Sequence, residues 1–284
     1  MKPQRNRLPI SGQGSLMIPD DRLMSVFSTL QLLRDGYPGR IHSSDVPQRG
    51  PRFDVIARWL DAFFTEFVEY ASFKASFFLH DGPLPLPYPG DELFQRHWVK
   101  STKANLLGHL RWVYPNRDLV LVRPVFDGTG HARERMYGQL GVDDAQYQIN
   151  ERVRKGKPGY SPTFFSQVVF QSSDPDLATT LEQAIHAELL QLVDLLLGVS
   201  ADAMQFRPGA GKAGRRRLAR RATDEIADRF GRSPFAFQRH QRRFSVSLYP
   251  DAHGRMYAAN PERLDRPVDG TQLPLLSIGS GEPG

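Results

Sequence analysis

The run Leu189-Leu190-Gln191-Leu192-Val193-Asp194-Leu195-Leu196-Leu197-Gly198 decides how this chain is read. It is the centre of a helix expected over Leu181–Met204, with Ile185, Leu189, Leu192, Val193, Leu196 and Leu197 apolar at three- and four-residue spacing. Gln191, Asp194 and Gly198 lie three and four apart and so share one narrow face. An acid among leucines either faces water or is held inside by a partner, because a charge is not left buried unpaired. An amphipathic helix showing a polar edge to solvent competes with a functional face. The scarcity of other polar residues between Leu189 and Val199 favours function.

Working toward the N-terminus, three strand patterns alternate with helical ones. Asp20 or Asp21 caps a helix expected to reach Arg34, stopped by Gly36-Tyr37-Pro38-Gly39. Pro51 opens a second, with a stripe of Phe53, Ile56, Trp59, Leu60, Phe63, Phe64 and Phe67 running to about Tyr70. Phe73, Ala75, Phe77 and Leu79 alternate as a strand ending at His80-Asp81-Gly82. A proline-rich loop and a helix over Asp91–Trp112 follow. Leu119–Phe126 is a second strand, although Pro124 favours an edge or a bulge. A short helix over Ala132–Leu140, a basic loop over Asn150–Ser161 and a third strand over Thr163–Gln171 complete this part. Ser15–Ile18 is too short to classify. Helices alternating with strands argue for an α/β layer fold.

The chain has 284 residues, 40% hydrophobic and 24% charged, enough for a packed core and against wholesale disorder. The absence of cysteine excludes disulfides, thiolate zinc sites and cysteine nucleophiles, and fits a cytoplasmic setting. No run of about 18 apolar residues is present, so no membrane span is expected. The net charge of +6 is uneven: Phe206–Ser247 holds 12 Lys/Arg against 3 Asp/Glu. A near-neutral body carrying one basic segment points to a polyanionic partner or an acidic surface. Three regions are expected: a basic arm over 1–13, an α/β domain over 14–205, and a basic helix (about Arg215–Phe230) with a Pro/Gly-rich extension over 206–284. One strand is expected in the extension, at Phe244–Leu248.

Asp127 ends a hydrophobic strand before Gly128-Thr129-Gly130, where sites collect in open α/β sheets. A carboxylate there can hold a hard cation such as Mg²⁺, or simply make a turn. Asp81 has the same context, and His42 and Asp45 put a base and an acid in one loop. Gly209-Ala210-Gly211-Lys212-Ala213-Gly214 matches a dinucleotide fingerprint only as a string, since no strand precedes it. It reads as a hinge leading to Arg215, Arg216, Arg217, Arg220 and Arg221. With Lys212 before them and Arg239, Arg242 and Arg243 behind, these cations suit sequence-blind phosphate contacts, or a solvated helix face.

The Gln191–Asp194 helix resembles the Gln-x-x-Asp helix of the bacterial and phage proteins grouped as domain of unknown function 3800. The Ile41–Asp45 segment and the strands ending at Asp81 and Asp127 follow in the family's order, over roughly Leu16–Met204. The resemblance implies a ribonuclease-H-like mixed sheet flanked by helices, and Mg²⁺- or Mn²⁺-dependent hydrolysis of DNA or RNA. Asp127, Asp194 and Asp81 would bind metal, Gln191 would orient a ligand or water, and His42 or Asp45 would assist proton transfer. The family's opening Asp-Glu-Ser strand has no counterpart here, so the fold is expected to be N-terminally incomplete. The missing acid leaves three expectations open: a start further upstream, an acid supplied by another protein subunit, or a catalytically dead copy. The rival reading is a non-catalytic nucleic-acid-binding or assembly subunit of a larger system such as phage defence.

Overall fold

A computed structural model describes residues 10–79, 90–128, 132–203, 213–220, 243–249 and 257–258. The chain is a mixed α/β protein. Among the described residues, its main sheet has four strands in the order β1 (Ile10–Met17), β2 (Ser72–Leu79), β7 (Phe244–Tyr249) and β8 (Tyr257–Ala258). β1 pairs antiparallel with β2, β7 runs parallel to β2, and β8 is antiparallel to β7.

The two faces of this sheet differ in chemistry, and strand periodicity is the cause. On one face, Leu16, Phe73, Ala75, Phe77, Phe244 and Val246 pack against α1 (Asp20–Arg34), α2 (Pro51–Thr65) and α5 (Leu181–Ala203). Phe63 and Phe64 of α2 meet Phe244, and Phe73 stacks on Phe244 at 5.3 Å between centroids. Gly12 and Gly14 let α5 lie close on β1: a Cβ at Gly14 would be 3.2 Å from Val193 and 3.3 Å from Leu197. On the other face lies α3 (Gly90–Val113), packed on β1 and β2 and backed by α4 (Ala132–Arg154). A second apolar cluster, with Leu110, Val142, Ala145, Ile149 and Phe165, fills the space around α3 and α4.

Several expectations change. Residues 10–13, read as part of a loose arm, belong to β1 with Ser15–Met17, a strand that carries Gln13 and Ser15 and no acid. The strand expected over Leu119–Phe126 is two pieces, β3 (Val120–Val122) and β4 (Val125–Asp127). Pro124 lacks the N–H that would carry the ladder across the gap. The strand expected over Thr163–Gln171 divides likewise into β5 (Thr163–Phe165) and β6 (Val169–Gln171). β3 pairs with β5 and β4 with β6 as separate two-stranded parallel ladders, not as strands of one large sheet. The expected loop from Asn150 begins late, because α4 continues to Arg154. At α1, Asp20 and Asp21 lie in the first turn and Pro19 holds the cap position. β7 lies inside the sheet, so the chain after Phe206 is not simply an appendage.

α5 is long and apolar enough to cross a membrane by length and composition. More than half of its apolar stretch is buried inside the protein, as a core helix is.

Candidate functional site

The chain after α1 turns at Asp35, in the left-handed region at φ 51°, and returns across α5 as a loop through Tyr37–Asp45. Gln191 sits beneath this loop, fully buried. Its Oε1 accepts from Ile41 N at 2.7 Å and Arg34 Nη2 at 3.0 Å, and its Nε2 donates to Ala187 O at 3.3 Å. The Gln191 amide therefore clamps the loop onto the helix and is not presented to a ligand. Arg34 also pairs with Glu188, Nε to Oε1 at 2.9 Å, and lies 5.0 Å above the Trp59 ring. Burial pushes the Glu188 carboxyl up, and Arg34 opposes that shift.

One turn on, Asp194 Oδ2 accepts from Ser43 N at 2.6 Å and Oδ1 from Ser43 Oγ at 3.2 Å. His42 Nδ1 stands 3.9 Å from Asp194 Oδ2. The same Nδ1 lies 2.7 Å from Ser44 Oγ and accepts from Ser44 N at 3.1 Å. With the serine and the acid both at Nδ1, these residues do not form a relay across the ring, which requires one partner on each nitrogen. Asp45 pairs with Arg52, whose Nη2 donates to Arg40 O at 3.1 Å. Asp127, at the end of β4, accepts from Ser173 Oγ at 3.1 Å, and Ser173 Oγ accepts from Arg40 Nη2 at 2.7 Å.

The five-residue stretch Arg40–Ser44 thus touches Asp194 directly and Asp127 through Ser173. Among the described residues, no group of three or more His, Asp or Glu side chains is placed to hold a metal ion. Asp81 lies outside the described residues, as do Lys212, Arg221, Arg239 and Arg242.

The basic helix is described over residues 213–220, here α6. Arg215, expected to face phosphate, is instead buried at 6% exposure and paired with Asp202 of α5, Nε to Oδ2 at 2.9 Å. Leu218 and Ala219 are buried, and Gly214 fits against Pro47, where a Cβ would strike the carbonyl at 2.1 Å. These contacts fix the helix to the body. Arg216, Arg217 and Arg220 are exposed, with Arg217 4.7 Å over the Phe53 ring. Arg243 adjoins β7 rather than α6, is half-buried, and its backbone carbonyl accepts from Phe73 N at 2.6 Å.

One feature escaped the sequence reading. The face of α3 toward the sheet carries His97, Ser101, Asn105 and His109, spaced by four and all buried. Opposite them stand Gln13, Ser15, Ser72, Lys74 and Ser76. Gln13 Nε2 donates to Thr102 Oγ1 at 2.6 Å, and Ser76 Oγ to Asn105 Oδ1 at 2.8 Å. His109 lies between two hydroxyls, Ser15 at 2.9 Å and Ser72 closer still. Burial, then the charge of Arg243, pushes the Lys74 amine down to about 7. Burial, then Lys74, pushes His109 well below its ordinary value. The four-residue recurrence of polar side chains in α3 was the available signal.

Comparison with protein-family models, with curated proteins and with solved structures yields no match.

Proposed function

We propose that this is a nucleic-acid-binding protein that grips the phosphate backbone through α6. The observation that supports the reading is the row of exposed Arg216, Arg217 and Arg220 on a helix fastened by the Arg215–Asp202 pair. Residues 216 and 220 are one turn apart, so the guanidinium groups project from neighbouring positions on one ridge. Contacts of this kind are sequence-blind and release counterions. The chain acts in this reading as a binding or assembly subunit in the cytoplasm, in a system directed against nucleic acid such as phage defence.

The test is fluorescence anisotropy on short DNA and RNA, single- and double-stranded, across a salt series. Replacing Arg216, Arg217 and Arg220 by Ala should flatten the log–log salt slope by about 2 to 3, at about 0.7 to 0.9 per phosphate contact. An unchanged slope would remove α6 from the interface.

A second reading, Mg²⁺- or Mn²⁺-dependent hydrolysis on a ribonuclease-H-like fold, has one observation in its favour: Arg40–Ser44 ties both Asp127 and Asp194 to one loop. The described residues do not by themselves fit a metal pair. Two ions need several converging carboxylates, whereas Asp194 is engaged by Ser43 and Gln191 by the loop backbone. This reading needs Asp81 or an acid from another subunit. It expects saturable Mn²⁺ binding and a cleavage activity that Asp194→Ala abolishes while nucleic-acid binding persists. Retained binding with no Mn²⁺ uptake leaves the binding reading alone.

A further inference from the structure

The seam between α3 and the main sheet is unusual for a protein interior, which is ordinarily filled with apolar side chains. Strand register arranges it in rows. Ser15, Lys74 and Ser245 are neighbours across β1, β2 and β7, and Gln13, Ser76 and Ser247 form the next row. Ser72 and Ser76 are fully buried, while Ser245, Ser247 and Arg243 are half-buried, so the seam opens on the β7 side. The Lys74 stem lies along Gly108 of α3, its Cε 3.5 Å from where a Cβ would stand.

Among the described residues, several polar atoms in this region find no hydrogen-bond partner: Arg243 Nη1, Asn105 Nδ2, Ser101 Oγ and Gln13 Oε1. Ser101, Asn105 and Gln13 are more than nine-tenths buried. A buried polar atom without a partner loses its hydration with nothing in return, so such atoms usually mark a site that something else completes. The side chains named here include two cations and several hydroxyls; one carboxylate, Asp21, acts on Tyr114 beside Arg243.

We propose that the β7 side of this seam is a binding site for a small tetrahedral oxyanion, a phosphate or phosphate monoester, held by Lys74, Arg243 and the hydroxyls of Ser245 and Ser247. Arginine offers paired N–H donors to such a group and lysine a compact charge. Serine hydroxyls supply further donors without adding charge. An anion here accepts from Arg243 Nη1 and favours the ammonium form of Lys74, whose proton burial and the facing Arg243 otherwise displace. His109 from α3 faces the same lysine, and Tyr114 the same arginine. The site is separate from α6.

The experiment is isothermal titration of the full chain with inorganic sulfate and with inorganic phosphate at about pH 8, ionic strength held with chloride, in two buffers of different ionisation enthalpy. Sulfate does not titrate there, so proton uptake on sulfate binding reports Lys74. Saturable binding with uptake of a proton is expected. Lys74→Met should weaken binding about tenfold or more, the loss of one charge-assisted contact, and remove the proton uptake. Arg243→Met should weaken it comparably, and serves if the first variant does not fold. Neither substitution should alter the nucleic-acid salt slope, which keeps this test apart from that of α6. Sulfate and phosphate that bind no better than chloride, or binding that persists in both variants, overturns the proposal.

Discussion

Raising the pH above neutrality should stabilise this protein, because Lys74 enters the fold without its proton. In the folded chain its amine is pushed from 10.5 down to about 7. Between those values the unfolded chain holds one more proton than the folded chain, so stability rises with pH. Each unit of displacement corresponds to about 1.4 kcal/mol, which puts the whole effect at about 5 kcal/mol. It is fully present above the unfolded value and is lost as pH falls to about 7. Below that, His109 acts with the same sign, since its folded value also lies under the ordinary one. Tyr70 and Tyr114, pushed up to about 12 by burial, act oppositely only above about 10. Urea unfolding at fixed ionic strength, free of phosphate and sulfate, should therefore show a gain of about 3 kcal/mol between about pH 7 and pH 9.5. Lys74→Met should be more stable than the parent near neutrality and nearly insensitive to pH across that window. A flat profile in the parent, or the same slope in Lys74→Met, would refute the reasoning.

Gly141→Ala should destabilise the protein by about 1 to 3 kcal/mol, because the new methyl would lie 2.6 Å from Thr102 Cβ and 3.1 Å from Val99 O; a melting temperature equal to the parent's would contradict the close α3–α4 approach. Gln191→Leu should cost about 2 to 4 kcal/mol by orphaning Ile41 N and one Arg34 donor, while nucleic-acid affinity, measured on the folded fraction, stays put. Arg215→Ala should cost about 3 to 5 kcal/mol by removing the guanidinium that pairs with the buried Asp202 carboxylate. It should also weaken nucleic-acid binding by freeing α6; undiminished stability in denaturant would deny that pair its structural role.

The helices that bury a broad apolar stripe were legible. α2 begins at Pro51 and buries Phe53, Ile56, Trp59, Leu60, Phe63 and Phe64 as its spacing implies, and α5 matches its expected span closely. α4 was read short because its buried positions include Gly138, Gly141 and Ala145, residues chosen for close approach rather than for hydrophobicity. β1 was missed because Gly12 and Gly14 replace the apolar half of the usual alternation, where α5 presses directly on the strand. Of the candidate site, the sequence named both the His42 loop and the Asp194 helix, which meet through Ser43. It misjudged Gln191 and Arg215, since nothing in a linear string distinguishes a polar side chain that serves a ligand from one that serves the backbone or a hidden acid. The seam under α3 was invisible for a related reason: a polar helical stripe reads as a wet surface until a strand is found facing it.

The placement of β7 has a consequence for how the chain reaches its final form. Its partner strand is made early and must wait for nearly the whole polypeptide before Phe244 arrives to cover the rings of Phe63, Phe64 and Phe73. Pairing across so large a sequence separation carries a heavy loop-closure cost and slows assembly. Until then the sheet offers a naked flank beside its aromatic cluster, the kind of surface that chaperones shield and that aggregates exploit. A nascent chain stalled short of this strand would be the form most in need of protection.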